Sequence, residues 1–277
     1  MSLFLANLSS AIFGISDFAG GMAARRVSAV TVVFGAHLTG LVGLLVAAPF
    51  FGDGAPPLAD VGWGVAAGIG GGVGVALLYH GLATTRMSVV APAAALVGTV
   101  VPVLFGVATG ERPAPLAWVG MALAVPALLL IPGRSEGTGS ASGRALWYGV
   151  VVGILFGLFG VLISRTGADS GVWPLLSARA ASVPLMAVVA VGMRRPVVPA
   201  PGARGLVFVT GVLDATANVL FLLALRIELL SIVAVITALY PASTVALAFF
   251  VLGERVNRVQ AGGMALAVGA VALIAVA

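Results

Sequence analysis

The sequence predicts an all-α integral membrane protein whose ten transmembrane helices form two inverted five-helix repeats. Three observations predict it: the composition, a series of long apolar runs, and a self-match at constant offset. Of 277 residues, 61% are apolar and only 8% charged, with a mean hydropathy of +1.18. Soluble domains carry about a quarter charged residues, so a water-soluble enzyme and a disordered chain are both excluded. There is no cysteine, hence no disulfide framework and no thiolate metal site. All 14 basic residues are arginine. The net charge of +5 falls in short connections, which does not make a nucleic-acid face.

A bilayer core about 30 Å thick needs roughly 20 apolar residues per crossing helix. Reading between charge clusters gives spans at 3–22, 30–50, 61–81, 89–108, 116–132, 146–163, 172–192, 206–225, 231–251 and 260–277. The runs are continuous, not alternating strands of about ten residues, so helices are preferred to a barrel. The first span has no charge before it and runs on into Arg25-Arg26 and a second span, unlike a cleaved leader. Trp63, Trp118, Trp147 and Trp173 sit near span starts, where their rings suit the headgroup level. In the third span Gly68, Gly70, Gly71, Gly72 and Gly74 predict one nearly side-chain-free face for close helix approach. Pro92 and Pro102 in the fourth span and Pro241 in the ninth predict kinks.

Shifted by 143 residues, the sequence matches itself. Phe13-Gly14 falls on Phe156-Gly157, Ser88-Val89-Val90-Ala91 on Ser231-Ile232-Val233-Ala234, and Gly110-Glu111-Arg112 on Gly253-Glu254-Arg255. Gly120 through Val125 is identical to Gly263 through Val268. The repeats are bounded at 1–134 and 145–277. Five spans is an odd number, so the second copy enters the membrane upside down. Inverted copies place a pseudo-two-fold axis in the membrane plane and a binding site near its middle, the construction of many secondary transporters.

Ionisable groups inside spans cost roughly 2.5–3.5 kcal/mol on insertion scales and point to function. Asp214 lies near the middle of the eighth span, one turn from Asn218 on the same face. It is read as a carboxylate that binds a proton or a substrate amine, against a structural role in tying neighbouring helices. Arg179, a third of the way into the seventh span, holds a substrate carboxylate, neutralises Asp214, binds broken backbone carbonyls or snorkels. His37 in the second span relays protons or bonds a carbonyl. Asp17, on a first span that also carries Asn7, Ser9, Ser10 and Ser16, faces the bundle interior or a cavity. Tyr240, beside Pro241 and between Thr237 and Thr244, lines a cavity wall or bonds a neighbouring helix. Tyr79-His80 closes the third span and is read as an interfacial anchor. Glu111 and Glu254 precede the fifth and tenth spans, where the helix dipole favours an acid, and are read as structural.

The opening Phe13-Gly14-Ile15-Ser16-Asp17-Phe18, Arg179 in Ala178-Arg179-Ala180, and the paired Gly-Glu-Arg turns make the chain resemble the EamA family of the drug/metabolite transporter superfamily. The resemblance runs from about Leu3 to Val276 and implies a ten-helix bacterial inner-membrane carrier that moves small metabolites outward, such as amino acids or related compounds. It also implies cytoplasmic termini. The charge bias points the other way: ten arginines in odd-numbered connections against three in even-numbered ones put the odd connections inside.

The reading is a secondary transporter working by alternating access on a small-molecule substrate, with proton coupling open. Asp214, Arg179, His37, Asp17, Asn218 and Tyr240 are its substrate-binding or coupling residues. No cofactor, metal or nucleic acid is implied, and the partners are membrane lipids and a monomeric or homodimeric state. Without lysine there is no Walker-type phosphate loop, which argues against ATP-driven transport by this chain alone; no His-Glu-x-x-His pair exists and the polar residues are scattered singletons, so the chain is read as no enzyme. The alternatives are a lipid-carrier or flippase-like protein of the same architecture and an integral-membrane enzyme.

Overall fold

The computed structural model describes residues 1–51, 56–84, 87–130, 140–252 and 258–277. The Gly253-Glu254-Arg255 turn and Arg86 and Arg134 lie outside the described residues, as do the side chains of Ser88, Val89 and Pro92. Among the described residues the secondary structure is entirely helical: α1 (Ser2–Ala24), α2 (Ala29–Ala47), α3 (Leu58–Thr84), α4 (Met87–Ala108), α5 (Pro115–Leu130), α6 (Ser140–Ser164), α7 (Trp173–Gly192), α8 (Pro201–Leu225), α9 (Leu230–Thr237), α10 (Pro241–Leu252) and α11 (Arg258–Ala275), with two short 3-10 turns. Among the described residues six helices are long and apolar enough to cross a membrane, and four shorter apolar helices accompany them. All four tryptophans turn outward, each at least 39% exposed, and such rings suit the interface.

The ninth span is broken, not merely bent. Pro241 has no N–H to give the Thr237 carbonyl, and the Tyr240 N–H takes that carbonyl instead in a tight turn over Ala238–Tyr240. Gly14 on α1 lies directly against the Tyr240 carbonyl, and Thr244 Oγ1 donates to Gly14 O at 3.1 Å. By contrast, α4 runs unbroken past Pro102.

Helix neighbours in space are seldom neighbours in sequence. α1 packs most on α8, α3 on α7 and α6, α4 on α6, α2 on α8 and α7, and α5 on α11. Serines tie α1 to α8: Ser9 Oγ donates to Ala217 O at 2.8 Å and Ser16 Oγ to Thr210 O at 3.1 Å. The polar face of α1 is therefore turned into the bundle, as the sequence implies.

The glycines of α3 do not form one face. Successive helix residues turn by about 100°, which puts Gly68 and Gly72 against α7 and Gly71 and Gly74 against α6. Gly64, one turn before Gly68, continues the α7 seam against Pro174 and Ser177. α3 is thus clamped between two helices, where backbone replaces side chain as the packing surface.

Polar ties close one end of the bundle. Glu111 accepts from the backbone N–H of Leu230 at 2.8 Å and of Ser231 at 3.1 Å. Its role is structural, as expected, but the helix it caps is α9 and not the α5 that follows it in sequence. Replacing Glu111 with alanine strips two donors of their acceptor at that helix start. The expected cost is about 1–2 kcal/mol, read as a lower melting temperature in detergent, while Glu111→Gln, which retains one acceptor oxygen, loses less. Nearby, Asp60 accepts from Gly167 N at 2.8 Å and from Ser170 Oγ, and Arg226 donates to Thr166 O. Partial burial lowers the Arg226 pKa, and the charges of Asp60 and Asp169 oppose that shift.

Candidate functional site

A cavity of about 140 Å³ lies inside the bundle, walled by α1, α2, α3, α4, α6, α7, α8 and α9. That is room for a small organic molecule or a group of waters. Its apolar wall includes Phe13, Phe156, Phe159 and Phe221. Asp17, His37, Arg179, Asp214, Asn218 and Tyr240, the six residues singled out from the sequence, all line it, together with Ser182 and Thr237.

The centre of the polar cluster is an ion pair. Arg179 Nη2 on α7 donates to Asp214 Oδ2 on α8, with the two side chains only 10% and 15% exposed. Of the four roles open to Arg179, the ion pair with Asp214 is the one its geometry matches, and its guanidinium does not reach outward. Asn218 Nδ2 steadies the pair from one turn along α8, donating to Asp214 O at 2.8 Å and to Asp214 Oδ1 at 3.3 Å. A charge pair at this depth is sustained only if its remaining lone pairs are also satisfied.

His37 on α2 faces Ser182 on α7, with Nδ1 2.8 Å from the hydroxyl. Ser182 Oγ has the Arg179 carbonyl as its own acceptor at 3.4 Å. His37 Nδ1 is therefore assigned as the donor to Ser182 and Nε2 as a bare acceptor, with no hydrogen-bond partner for Nε2 among the described residues. Among the described residues the hydroxyls of Tyr240, Thr237, Thr210 and Ser231 are also buried without a partner, the last two away from the cavity. Buried polar atoms are normally paired, so three such atoms on residues that line one cavity mark a place where a guest or water belongs.

One residue was misread from sequence. Tyr79 is 2% exposed and is no interfacial anchor. Its ring and hydroxyl lie against Gly20 of α1, one turn from Asp17 and Ser16. The third helix continues to Thr84, beyond the expected end of the span, and so carries Tyr79 into the interior. His80, next to it, is exposed and meets Tyr148 edge-on at 5.7 Å. Ser182 was not singled out either, since a serine in an apolar helix carries no signal until its partner is known.

Among the described residues no group of His, Cys, Asp or Glu forms a metal-binding cluster. The model of the EamA-like transporter family matches the sequence twice, over residues 1–132 and 143–276. A solved structure titled "Crystal structure of protein" superposes with a TM-score of 0.72 at 16% identity, covering 98% of this chain and 94% of that one. At that identity the likeness is one of fold. No curated protein matches the chain in sequence.

Proposed function

The chain belongs to the EamA-like transporter family, and from that premise we propose that it is a secondary transporter that carries a small metabolite, such as an amino acid or related compound, by alternating access. It is a multi-pass membrane protein and a transporter of the drug/metabolite type. The observation that carries the proposal is the convergence of the intramembrane polar residues Asp17, His37, Arg179, Asp214, Asn218 and Tyr240 on one interior cavity. Intramembrane charge is costly, and its collection around a void is what a transport site requires.

The two halves, at roughly 1–134 and 145–277, are proposed as inverted repeats. The double family match supports this. So does the packing: at the 143-residue offset, exchanging the halves turns the α1–α8 pair into α6–α3 and the α3–α7 pair into α8–α2, both among the main contacts. So does the cavity wall. At the same offset Phe13 corresponds to Phe156, Asp17 to Gly160, Gly71 to Asp214, Val75 to Asn218, Ala94 to Thr237 and Ala95 to Ala238. Both members of every pair line the cavity. Each half supplies the same frame, and the polar groups are distributed unequally over it.

The family supports a bacterial inner-membrane location and outward transport. Purified protein in liposomes, screened with amino acids and related metabolites with and without a pH gradient, is expected to show counterflow of at least one solute. Absence of counterflow across the screen, combined with accelerated lipid scrambling, would replace transport with the lipid-carrier reading. Terminal tags tested with an impermeant reagent in intact cells settle orientation, since the arginine distribution expects modification of both tags.

A further inference from the structure

Away from the cavity, charge is unbalanced where α1 gives way to α2 and α7 to α8. Arg25 and Arg26 follow α1, Arg194 and Arg195 follow α7, and Arg204 stands at the first turn of α8; all five are exposed. The two connections touch. Arg26 Nη1 donates to Gly202 O at 2.7 Å, and Thr31 Oγ1 of α2 donates to Pro196 O at 2.6 Å. No acidic residue occurs at 18–52 or 170–213. Asp17 and Asp214, just beyond these stretches, line the interior cavity. The other described acids belong to the opposite end of the bundle: Asp60 and Asp169 at the turn that leads into α7, Glu228 after α8, and Glu111 on the start of α9. Five like charges therefore meet on one surface with no counter-charge, and an anion relieves their repulsion.

The donors are free to take one. α7 closes on its own backbone: the N–H groups of Met193, Arg194 and Arg195 donate to the carbonyls of Val189, Val191 and Ala190, with Arg194 at φ 53° in the left-handed region. The Arg194 and Arg195 guanidiniums are not needed to cap that helix, and neither has a partner among the described residues. Arg26 and Arg204 are steadied by backbone carbonyls three residues apart, Gly202 O at 2.7 Å and Pro199 O at 3.1 Å. A guanidinium has five N–H donors, so each keeps most of its fork for a phosphate. A Cβ on Gly192, Gly202 or Gly205 would meet nothing within 4 Å, so the surface among these arginines is open. Deeper along the helices it turns apolar. Phe208 and Val212 lie one and two turns into α8 from Arg204, 59% and 43% exposed, and Val191 and Val188 lie one and two turns back along α7 from Arg195, 67% and 70% exposed. From Arg204 to Val212 is about 12 Å along the helix, close to the roughly 15 Å depth of one leaflet's hydrocarbon. α2 packs on both α7 and α8, so the three helices make one side of the bundle. A soluble anion would use the arginines alone, whereas a lipid uses the arginines and the apolar faces beneath them.

We propose that this surface binds an anionic phospholipid, with the phosphate held by arginines of the α1–α2 and α7–α8 connections and the acyl chains laid along the exposed faces of α7 and α8. No covalent bond changes. The two connections come from different halves of the chain, so the bound headgroup ties the halves together at this end and cancels the repulsion between them. This binding is independent of what the cavity carries.

The test is lipid binding to the purified full chain, delipidated in an uncharged detergent and followed by native mass spectrometry and by melting temperature. The probes are dioleoyl phosphatidylglycerol, dioleoyl phosphatidylcholine with the same acyl chains, and glycerol 3-phosphate as the free headgroup. Phosphatidylglycerol is expected to bind at least about thirtyfold more tightly than phosphatidylcholine and to raise the melting temperature, with both effects weakened by salt. Glycerol 3-phosphate at the same concentration is expected to do neither. Arg194→Gln/Arg195→Gln breaks no recorded side-chain contact and is expected to lose at least about tenfold of the preference. Arg144→Gln/Arg258→Gln removes the same charge from the starts of α6 and α11 and is expected to keep it. Equal binding of the two lipids by the unmodified protein overturns the proposal. Equal stabilisation by glycerol 3-phosphate overturns it too and assigns the arginines to a soluble anion. An equal loss in the two double variants also overturns it, since diffuse charge and not this surface then selects the lipid. The unmodified protein decides the first two points, so a variant that fails to fold does not protect the idea.

Discussion

Asp214→Asn is expected to abolish transport and to lower the stability of the folded protein at the same time. The two effects have one cause. Asp214 and Arg179 neutralise each other in the interior, and Asn218 completes the carboxylate's hydrogen bonding. Removing one member of such a buried pair leaves the other as an uncompensated charge, a loss of about 3–5 kcal/mol. Replacing both members with apolar residues of similar volume removes that penalty. Arg179→Met/Asp214→Leu is therefore expected to melt close to the unmodified protein while remaining inactive. Melting by size-exclusion fluorescence and counterflow in liposomes, measured on the single and double variants together, separate the two roles. An Asp214→Asn protein with full counterflow removes Asp214 from the mechanism, whatever its melting point. A double variant as unstable as the single shows that the charge pair is not what couples α7 to α8.

The same pair shows what a single sequence can and cannot disclose. That Asp214 matters is legible, because an acid in the middle of an apolar run must have a partner or a task. Which partner is not legible: Arg179 is 35 residues away on the preceding helix, and no periodicity relates positions on different helices. The spans were legible from hydropathy, but their ends were not. Tyr79 lies two residues before the expected end of its span, and only the extension of α3 to Thr84 makes it an interior residue beside Asp17. Glu111 was assigned to the helix next along the chain, whereas α9 comes from the distant half. The broken ninth span carried a visible signal in Pro241, yet Pro102 gives the same signal in a helix that stays whole. Proline removes a hydrogen bond in both, and what replaces it depends on neighbours that the sequence does not order. The cavity wall carries its own signature in the sequence: polar residues such as Asp214 and Asn218 align at the 143-residue offset with Gly71 and Val75, which occupy the same wall.

The close approach of α3 and α7 leads to the second large effect. A Cβ on Gly68 would fall on the main chain of Ala178, with Cα, C and O of that residue all inside van der Waals contact. Backbone cannot rotate aside as a side chain can, so the helices must separate. Overpacking of this kind costs about 1–3 kcal/mol, and here the displaced residue adjoins Arg179. Gly68→Ala is therefore expected to lower both melting temperature and transport. Gly62 is the internal control, since a Cβ there meets nothing within 4 Å. In the same helix Gly62→Ala should be neutral or stabilising by up to about 1 kcal/mol, because alanine is the better helix former. Gly72→Ala falls between the two: its nearest obstacle is the Cβ of Ser182 at 3.0 Å, and moving Ser182 also disturbs the partner of His37. If Gly68→Ala melts and transports like Gly62→Ala, the two helices are not held at this distance by their glycines, and Arg179 is positioned by something other than the α3–α7 seam. The expected order, Gly62 mildest and Gly68 most severe, follows from what each added methyl would strike, and helix propensity alone would predict no difference among the three.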